Sequence, residues 1–116
     1  MKPGEESDSA SLRDMLEACA EIVTFTRGLN YELFLGDRQR MLATAFGFAA
    51  LGEAVKRLSP EFRNQHAEIR WQKIAGMRDR LIHGYDKIDF ELVWNTASLD
   101  VPVLLEQLRK IRSGLD

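Results

Sequence analysis

Apolar residues recur at intervals of three and four along most of this chain, which is the spacing of an amphipathic helix. The first run covers residues 12 to 23, with Ser9 or Ser11 as a candidate N-cap and Gly28 as a candidate stop. Residues 1 to 9 are rich in Gly, Ser, Glu and Asp and contain little to bury. We expect them to form a flexible tail.

A second helix is predicted over residues 37 to 58, where the segment FGFAALGEA is almost uninterruptedly small or apolar. Its predicted core side consists of Met41, Leu42, Ala45, Phe46, Ala49, Gly52 and Val55. We expect this helix to be buried on more than one face, with Gly47, Ala50 and Gly52 allowing close approach of a neighbour. Buried carboxylates are rare, so Glu53 is expected to face solvent or to be paired.

A short helix and a longer one are predicted next. Ser59 is a good N-cap and Pro60 suits the first helical position, so a short helix is expected over residues 60 to 66. His66 at its end is expected to be a surface residue or a helix-end hydrogen bonder. Residues 71 to 83 then contain the apolar stripe of a further helix.

The last predicted helix starts near Asp86 or Asp89, either of which could cap it, and continues to Ile111. Pro102 lies within its apolar run, so we expect a kink near residues 98 to 102. No strand-like alternation or internal repeat competes with this pattern. The predicted class is all-α, an up-and-down bundle of four main helices plus one short helix.

Length and composition are typical of one soluble domain. A chain of 116 residues can hold one apolar core, so residues 10 to 116 are expected to form a single domain. Hydrophobic residues make up 45% and charged residues 29%, the balance of a soluble globular protein. Neither a membrane-spanning run nor an export signal stands out, and we expect a cytoplasmic protein that does not enter a membrane.

Cysteine content and net charge narrow the chemistry further. Cys19 is the only cysteine, so an intrachain disulfide and a cysteine-based metal site are excluded, and we expect Cys19 to pack as a small apolar residue. The formal net charge is −2, and no block of Lys and Arg stands out. Charge alone therefore does not indicate binding to a long nucleic acid, although a local or two-subunit basic patch remains open.

The segment MRDRLIHGYDKID, residues 77 to 89, concentrates reactive side chains. A rotation of about 100° per residue puts Asp79 and His83 on one face of a helix, where Asp79 could hydrogen-bond the imidazole and keep it basic. Arg78 lies about 140° around the helix from His83. Their convergence needs the long Arg side chain, a loosened helix end at Gly84, or a second subunit.

A two-fold mate could complete such a site. If the polar face with Asp79, Arg80 and His83 meets its copy, two arginines and two histidines line one groove. This pair is suited to cleaving RNA without a metal, because His can move the proton of the 2′-hydroxyl and Arg can stabilise charge on the phosphate. DNA lacks that hydroxyl and would be spared.

A purely structural interpretation of the same segment also remains open. In it, Arg78 and Arg80 form surface ion pairs with nearby carboxylates, and His83 is a helix C-cap residue. Tyr85 would then be a half-buried phenol that anchors a loop. Spacing alone does not decide between the two interpretations.

The octapeptide RDRLIHGY resembles the R-x4-6-H motif of HEPN domains, in the R-x4-H-x-Y form of the HepT-like toxin family. The segments RDMLEACAEI, LNYELFLGDR, LGEAVKRLSPEFR and LVWNTASLDVPVLLEQL also resemble that family. The resemblance implies a homodimeric, metal-independent ribonuclease with no cofactor, the toxin of a type VII-like toxin–antitoxin pair. By this resemblance Arg78 and His83 would be catalytic, with Asp79 supporting them. A carboxylate at Asp79 would weaken the attraction for the phosphate unless Arg78 or Arg80 offsets its charge, so Arg80 is also expected to be a supporting residue.

The resemblance further implies regulation by a partner protein. The family's antitoxin is a minimal nucleotidyltransferase that transfers AMP to the motif tyrosine, here Tyr85, and so blocks the RNA cleft. Two alternative functions remain open. One is a non-catalytic HEPN module that binds a nucleotide or a nucleotidyltransferase, and the other is a structural bundle whose His83 has no function.

Overall fold

The computed structural model describes residues 3–115, apart from the side chains of residues 3–6, 85 and 115. Its α-helices are α1 (Pro3–Thr26), α2 (Tyr31–Leu35), α3 (Arg38–Lys56), α4 (Pro60–Gln65), α5 (Trp71–His83), α6 (Phe90–Asn95) and α7 (Val101–Leu115). A 3-10 turn spans Tyr85–Lys87, and a π turn spans Thr96–Asp100. These residues contain no strand, so the predicted all-α class is confirmed.

The start of α1 corrects the predicted tail. The helix begins at Pro3 rather than at Ser9 or Ser11, and only Met1 and Lys2 of the predicted tail lie outside the described residues. The carboxylate of Asp8 is buried and accepts hydrogen bonds from the backbone N–H and the hydroxyl of Ser59, at 2.8 and 2.6 Å. This tertiary contact orders a polar segment that has no apolar periodicity of its own.

The central helix α3 packs against α1 on one side and α5 on another. A methyl group at Gly47 would lie 2.7 Å from Cγ1 of Ile22, and one at Gly52 would lie 2.2 Å from Cβ of Arg78. The predicted close approaches at these two glycines are confirmed. Ala50 is exposed, so the prediction that it faces a packed neighbour is wrong.

The bundle closes around a single apolar core. α7 packs against α1, and Gly28 ends α1 with φ +78, a conformation that favours glycine. Cys19 is fully buried and burial raises its thiol pKa to about 12, which confirms its packing role. Largest among the fully buried side chains are Phe34, Leu12, Met15, Ile22, Leu51 and Leu108. No helix in the described residues is long and apolar enough to cross a membrane.

The last predicted helix is interrupted where a kink was expected. Asp89 caps α6 by accepting a hydrogen bond from Leu92 N–H at 3.1 Å. The π turn ends at Asp100, immediately before α7 and Pro102. Proline has no N–H and its ring clashes with the preceding turn, so a wider turn relieves the backbone at this point. α6, the π turn and α7 together form the predicted fourth main helix.

The sequence pattern missed α2. This helix has five residues, too few for a periodic signal, and is capped by the Asn30 side chain, which accepts from Leu33 N–H at 2.8 Å. Its one buried residue is Phe34, whose ring packs 5.2 Å from that of Trp94 and 6.4 Å from that of Phe90. The contact fixes α2 against α6.

Candidate functional site

Arg78 lies at a close contact between α3 and α5. Gly52 has no side chain, and this lets α5 approach until the Cβ of Arg78 nearly touches the α3 backbone. The Arg78 side chain is only 23% exposed. Its Nη2 lies 3.2 Å from Oε2 of Glu53, and its Nη1 lies 3.1 Å from Oδ1 of Asp79. Glu53 is therefore a paired carboxylate, as predicted.

Asp79 bonds two cations. Its Oδ1 accepts hydrogen bonds from Nζ of Lys56 on α3 and from Nη1 of Arg78. The hydrogen bond from Lys56, followed by that from Arg78, lowers the pKa of the Asp79 carboxyl. Sequence spacing suggested that Asp79 could hold the imidazole of His83, but these hydrogen bonds go to the two cations instead. Lys56 comes within reach because α3 and α5 pack so closely.

We call the chain Glu53, Arg78, Asp79 and Lys56 the ion network. Its charges alternate in sign along the contact between α3 and α5, and its two cations and two carboxylates sum to zero. All four side chains retain contact with solvent. Such an arrangement orients the guanidinium of Arg78 but adds little to the free energy of unfolding, because exposed ion pairs contribute little to stability.

His83 is the last residue of α5 and is exposed to solvent. The helix ends here because Gly84 follows, and the N–H of Gly84 donates to the carbonyl of Arg80 at 3.1 Å. The exposed imidazole is free to meet a large substrate. Because Arg78 lies about 140° around the helix, one protomer presents these two side chains in different directions.

Arg80 lies in different surroundings from Arg78. It lines a cavity of about 480 Å³ between α5 and the start of α7, together with Lys73, Met77 and Leu99. Neither Asp79 nor His83 lines this cavity. A supporting role for Arg80 therefore stays a prediction, and within one protomer it would act through charge rather than through contact with the ion network.

Tyr85 begins the 3-10 turn that follows α5, two residues after His83. Its side chain lies outside the described part of the structure, so its predicted modification stays a prediction. His66 caps the end of α4 through its backbone N–H, as expected of a helix-end hydrogen bonder, and its ring packs at an angle against that of Phe62, with 4.7 Å between the ring centres. In the described chain, no group of three or more His, Cys, Asp and Glu residues could hold a metal ion.

An exposed apolar stripe lies on α3 beside the ion network. It consists of Leu42, Phe46 and Ala50, which recur every four residues and so share one side of the helix. Phe46 is 76% exposed. Glu53 follows Ala50 by three positions, so the stripe leads to the carboxylate that pairs with Arg78. The placement of Leu42 and Phe46 in the core was wrong, since α3 buries its other sides against α1 and α5.

Comparison with known proteins agrees with the all-α fold and with the family expected from the sequence. The all-α bundle, with Arg78 within its fifth helix and His83 at the end of that helix, is the arrangement expected of a HEPN-type protein. Residues 15–111 match the family described as "Ribonuclease HepT-like". The chain belongs to this HepT-like ribonuclease family, and that membership supports an RNA-cleaving enzyme.

Curated relatives cover most of the chain. A Thermococcus cleftensis protein named "Probable ribonuclease HepT" is 38% identical over 101 residues, covering 87% of this chain and 92% of the relative. A Caldanaerobacter subterraneus protein named as a candidate RNase is 35% identical, covering 86% of this chain and 89% of its own. A Methanocaldococcus jannaschii candidate RNase is also 35% identical, over a match that covers 92% of this chain and 88% of the relative. No solved structure matches the chain.

Proposed function

We propose that this protein is the toxin of a type VII-like toxin–antitoxin pair, a homodimeric, metal-independent endoribonuclease of the cytoplasm. The observation that carries the proposal is the arrangement at the end of α5 in a HepT-like chain. Arg78 is held at the contact with α3, and His83 is exposed at the helix end. Neither side chain is buried in the core.

The proposed reaction is transesterification. The imidazole of His83 takes the proton of a 2′-hydroxyl, and that oxygen attacks the adjacent phosphorus. The bond from phosphorus to the 5′-oxygen breaks, the proton that the imidazole took up is returned to the leaving oxygen, and the products are a 2′,3′-cyclic phosphate and a 5′-hydroxyl. The guanidinium of Arg78 stabilises the charge that develops on the phosphate oxygens.

A second copy of the chain would complete this site. The two motif side chains of one protomer point about 140° apart, whereas a two-fold mate could bring its own Arg78 and His83 to the same groove. We propose the stripe of Leu42, Phe46 and Ala50 as part of the dimer interface. A largely exposed phenylalanine at its centre supports this, because aromatic residues are enriched at interfaces.

Regulation is proposed to act on Tyr85. A minimal nucleotidyltransferase antitoxin would transfer AMP to its phenol, adding a phosphate charge and an adenosine two residues from His83. Both additions would oppose an approaching RNA, the first by repulsion and the second by bulk. The proposal rests on the R-x4-H-x-Y spacing of residues 78 to 85.

A non-catalytic HEPN module is the second candidate, and one observation favours it. The guanidinium of Arg78 is already engaged by two carboxylates, at 3.2 and 3.1 Å, in a chain of net charge −2. Such a module would bind a nucleotide or a nucleotidyltransferase without cleaving RNA. It predicts that His83→Ala leaves all RNA ends in the cell unchanged.

Expression in bacterial cells tests the proposal. Wild type, Arg78→Ala and His83→Ala would be compared for growth and for new cyclic phosphate ends in total RNA, with His66→Ala as the matched histidine control. Growth arrest with new ends, lost in the first two variants and kept in the third, supports the toxin. Coexpression with a nucleotidyltransferase antitoxin is expected to add AMP to wild type and not to Tyr85→Phe, as measured by mass spectrometry.

A further inference from the structure

The guanidinium of Arg78 presents Nη1 to Asp79 and Nη2 to Glu53. These are donor groups with which an arginine can hydrogen-bond a phosphate. We propose that Glu53 is a built-in competitor of the RNA phosphate, which must displace the Glu53 carboxylate from Nη2 of Arg78 in order to bind. The inference rests on the proposed function, because it assigns Arg78 to the substrate phosphate.

The charge of the ion network supports this role for a carboxylate. With all four members in place the network sums to zero, so it offers little net attraction to a phosphodiester. When Glu53 turns away, Arg78, Asp79 and Lys56 retain a net charge of +1. Departure of one carboxylate therefore converts a neutral cluster into an anion-binding one.

The contacts identify Glu53 as the carboxylate that leaves. Asp79 bonds both Lys56 and Arg78, so its displacement would break two charged hydrogen bonds. Glu53 contacts Arg78 alone among the ion pairs of the described residues, and its side chain is 47% exposed. Its longer side chain can rotate into solvent from α3 without moving the backbone. Asp79 then remains to hold the guanidinium while the phosphate binds Nη2.

Lys56 gains a defined role in this scheme. Its ammonium group bonds Asp79 and lies on the same side of α3 as Glu53, one turn further along. It compensates the Asp79 carboxylate, so that the charge of Arg78 is available to the incoming phosphate.

Binding of an uncleavable RNA tests the inference separately from catalysis. The probe is a short fluorescent RNA with 2′-O-methyl groups, and its dissociation constant is measured by anisotropy for wild type and Glu53→Gln. Glutamine keeps the shape and removes the charge, so we expect about two- to fivefold tighter binding, which is what an exposed ion pair is worth. Glu53→Ala, which removes the carboxylate altogether, is expected to tighten binding as well.

Two controls distinguish displacement of the Glu53 carboxylate from a general effect of the protein's net charge. Glu21→Gln makes the same charge change at an exposed position of α1, and is expected to leave affinity within experimental error. In an Arg78→Ala background, Glu53→Gln is expected to have no effect, because the competition requires the guanidinium. Circular dichroism and thermal unfolding confirm that each variant is folded.

The outcomes distinguish this inference from the proposed function. Unchanged or weaker binding by folded Glu53→Gln, or an equal gain from Glu21→Gln, overturns the competitor role even if wild type cleaves RNA. Tighter binding through Arg78 supports that role even if no RNA is cleaved, in which case only the ribonuclease proposal fails. If neither wild type nor Glu53→Gln binds the probe, both are overturned.

Discussion

Gly52 of α3 lies so close to Arg78 of α5 that a methyl group on it would come within 2.2 Å of the Arg78 Cβ. The absence of one side chain therefore decides how deeply the arginine is set into the bundle. The contact also brings Glu53 and Lys56 to the two ends of the ion network. A packing feature of α3 thus positions the proposed catalytic arginine.

Gly52→Ala is predicted to disturb this contact. The new methyl group would meet the Cβ of Arg78 and the carbonyl oxygen of Ile74, at 2.2 and 3.3 Å, so the two helices must separate. Overpacking of this kind costs about 1–3 kcal/mol. We expect a matching loss in the free energy of unfolding, measured with urea, and a larger loss of RNA cleavage because Arg78 moves.

Gly76→Ala is the matched control for that experiment. Gly76 also lies within a helix of the same contact, but nothing lies within 4 Å of a methyl group there. Alanine favours the helix, so we expect stability to rise by about 0.5–1 kcal/mol. Equal losses in the two variants would show that the Gly52 contact is not special.

If the exposed stripe on α3 forms the dimer interface, one charged substitution within it should disrupt the dimer. Phe46→Asp places a carboxylate at the centre of the proposed interface, where it would lose its water without gaining a partner. We expect a dimer for wild type and a monomer for the variant in analytical ultracentrifugation, with RNA cleavage lost along with the dimer. Thermal unfolding at high dilution should differ little, since Phe46 is 76% exposed in one protomer.

Leu99→Asp serves as the control for the stripe. Leu99 is, like Phe46, a largely exposed apolar residue, but it lies at the cavity between α5 and α7. The same added charge is expected to leave the dimer intact. A Phe46→Asp protein that sediments like wild type would place the interface elsewhere.

Asp79 predicts a defined pH dependence. Its pKa in the folded state is lowered by Lys56 and Arg78, so its contribution to stability is present above the unfolded-state pKa of about 3.9 and is lost as the pH falls through the lower folded value. The stability difference between wild type and Asp79→Asn should therefore be constant near neutral pH and shrink below about pH 4. Urea unfolding across this range measures it, and a difference that grows in acid would contradict the ion network.

Cys19 predicts a thiol that reacts only after unfolding. Burial raises its pKa to about 12, so the nucleophilic thiolate is scarce in the folded protein near pH 8. A chromogenic thiol reagent should modify wild type slowly in buffer and rapidly in urea. Rapid reaction of the folded protein would contradict the burial of Cys19 in the core.

Helices with a long apolar period could be predicted from sequence, whereas features set by tertiary contacts could not. α3 and α5 have periodic stripes, and Gly28 and Asp89 are recognisable caps. The helical state of residues 3 to 9 depends on Asp8 meeting Ser59, a pairing across 51 positions that no local pattern contains. α2 is likewise held by ring contacts of Phe34 rather than by its own propensity.

In the candidate site, too, the local sequence pattern could be interpreted in advance, whereas the tertiary contacts could not. The motif nominated Arg78, Asp79 and His83 as candidates, whereas Lys56 and the pairing of Glu53 with Arg78 come from α3 and depend on the approach at Gly52. Arg80 was grouped with Asp79 and His83 by helix rotation, yet it lines a cavity on another side of α5. A run of small residues followed by Glu and Lys was the one available signal for the ion network.

The most direct test is cleavage of RNA by the purified protein in the presence of EDTA, with the ends of the products identified. Wild type is predicted to give 2′,3′-cyclic phosphate and 5′-hydroxyl ends. Arg78→Ala and His83→Ala should lose this activity by at least about 100-fold, the contribution of a general base or a phosphate-stabilising group, whereas Arg80→Ala and His66→Ala keep most of it. Cleavage that persists in folded His83→Ala, or no cleavage by the folded wild-type protein, would contradict the proposed ribonuclease.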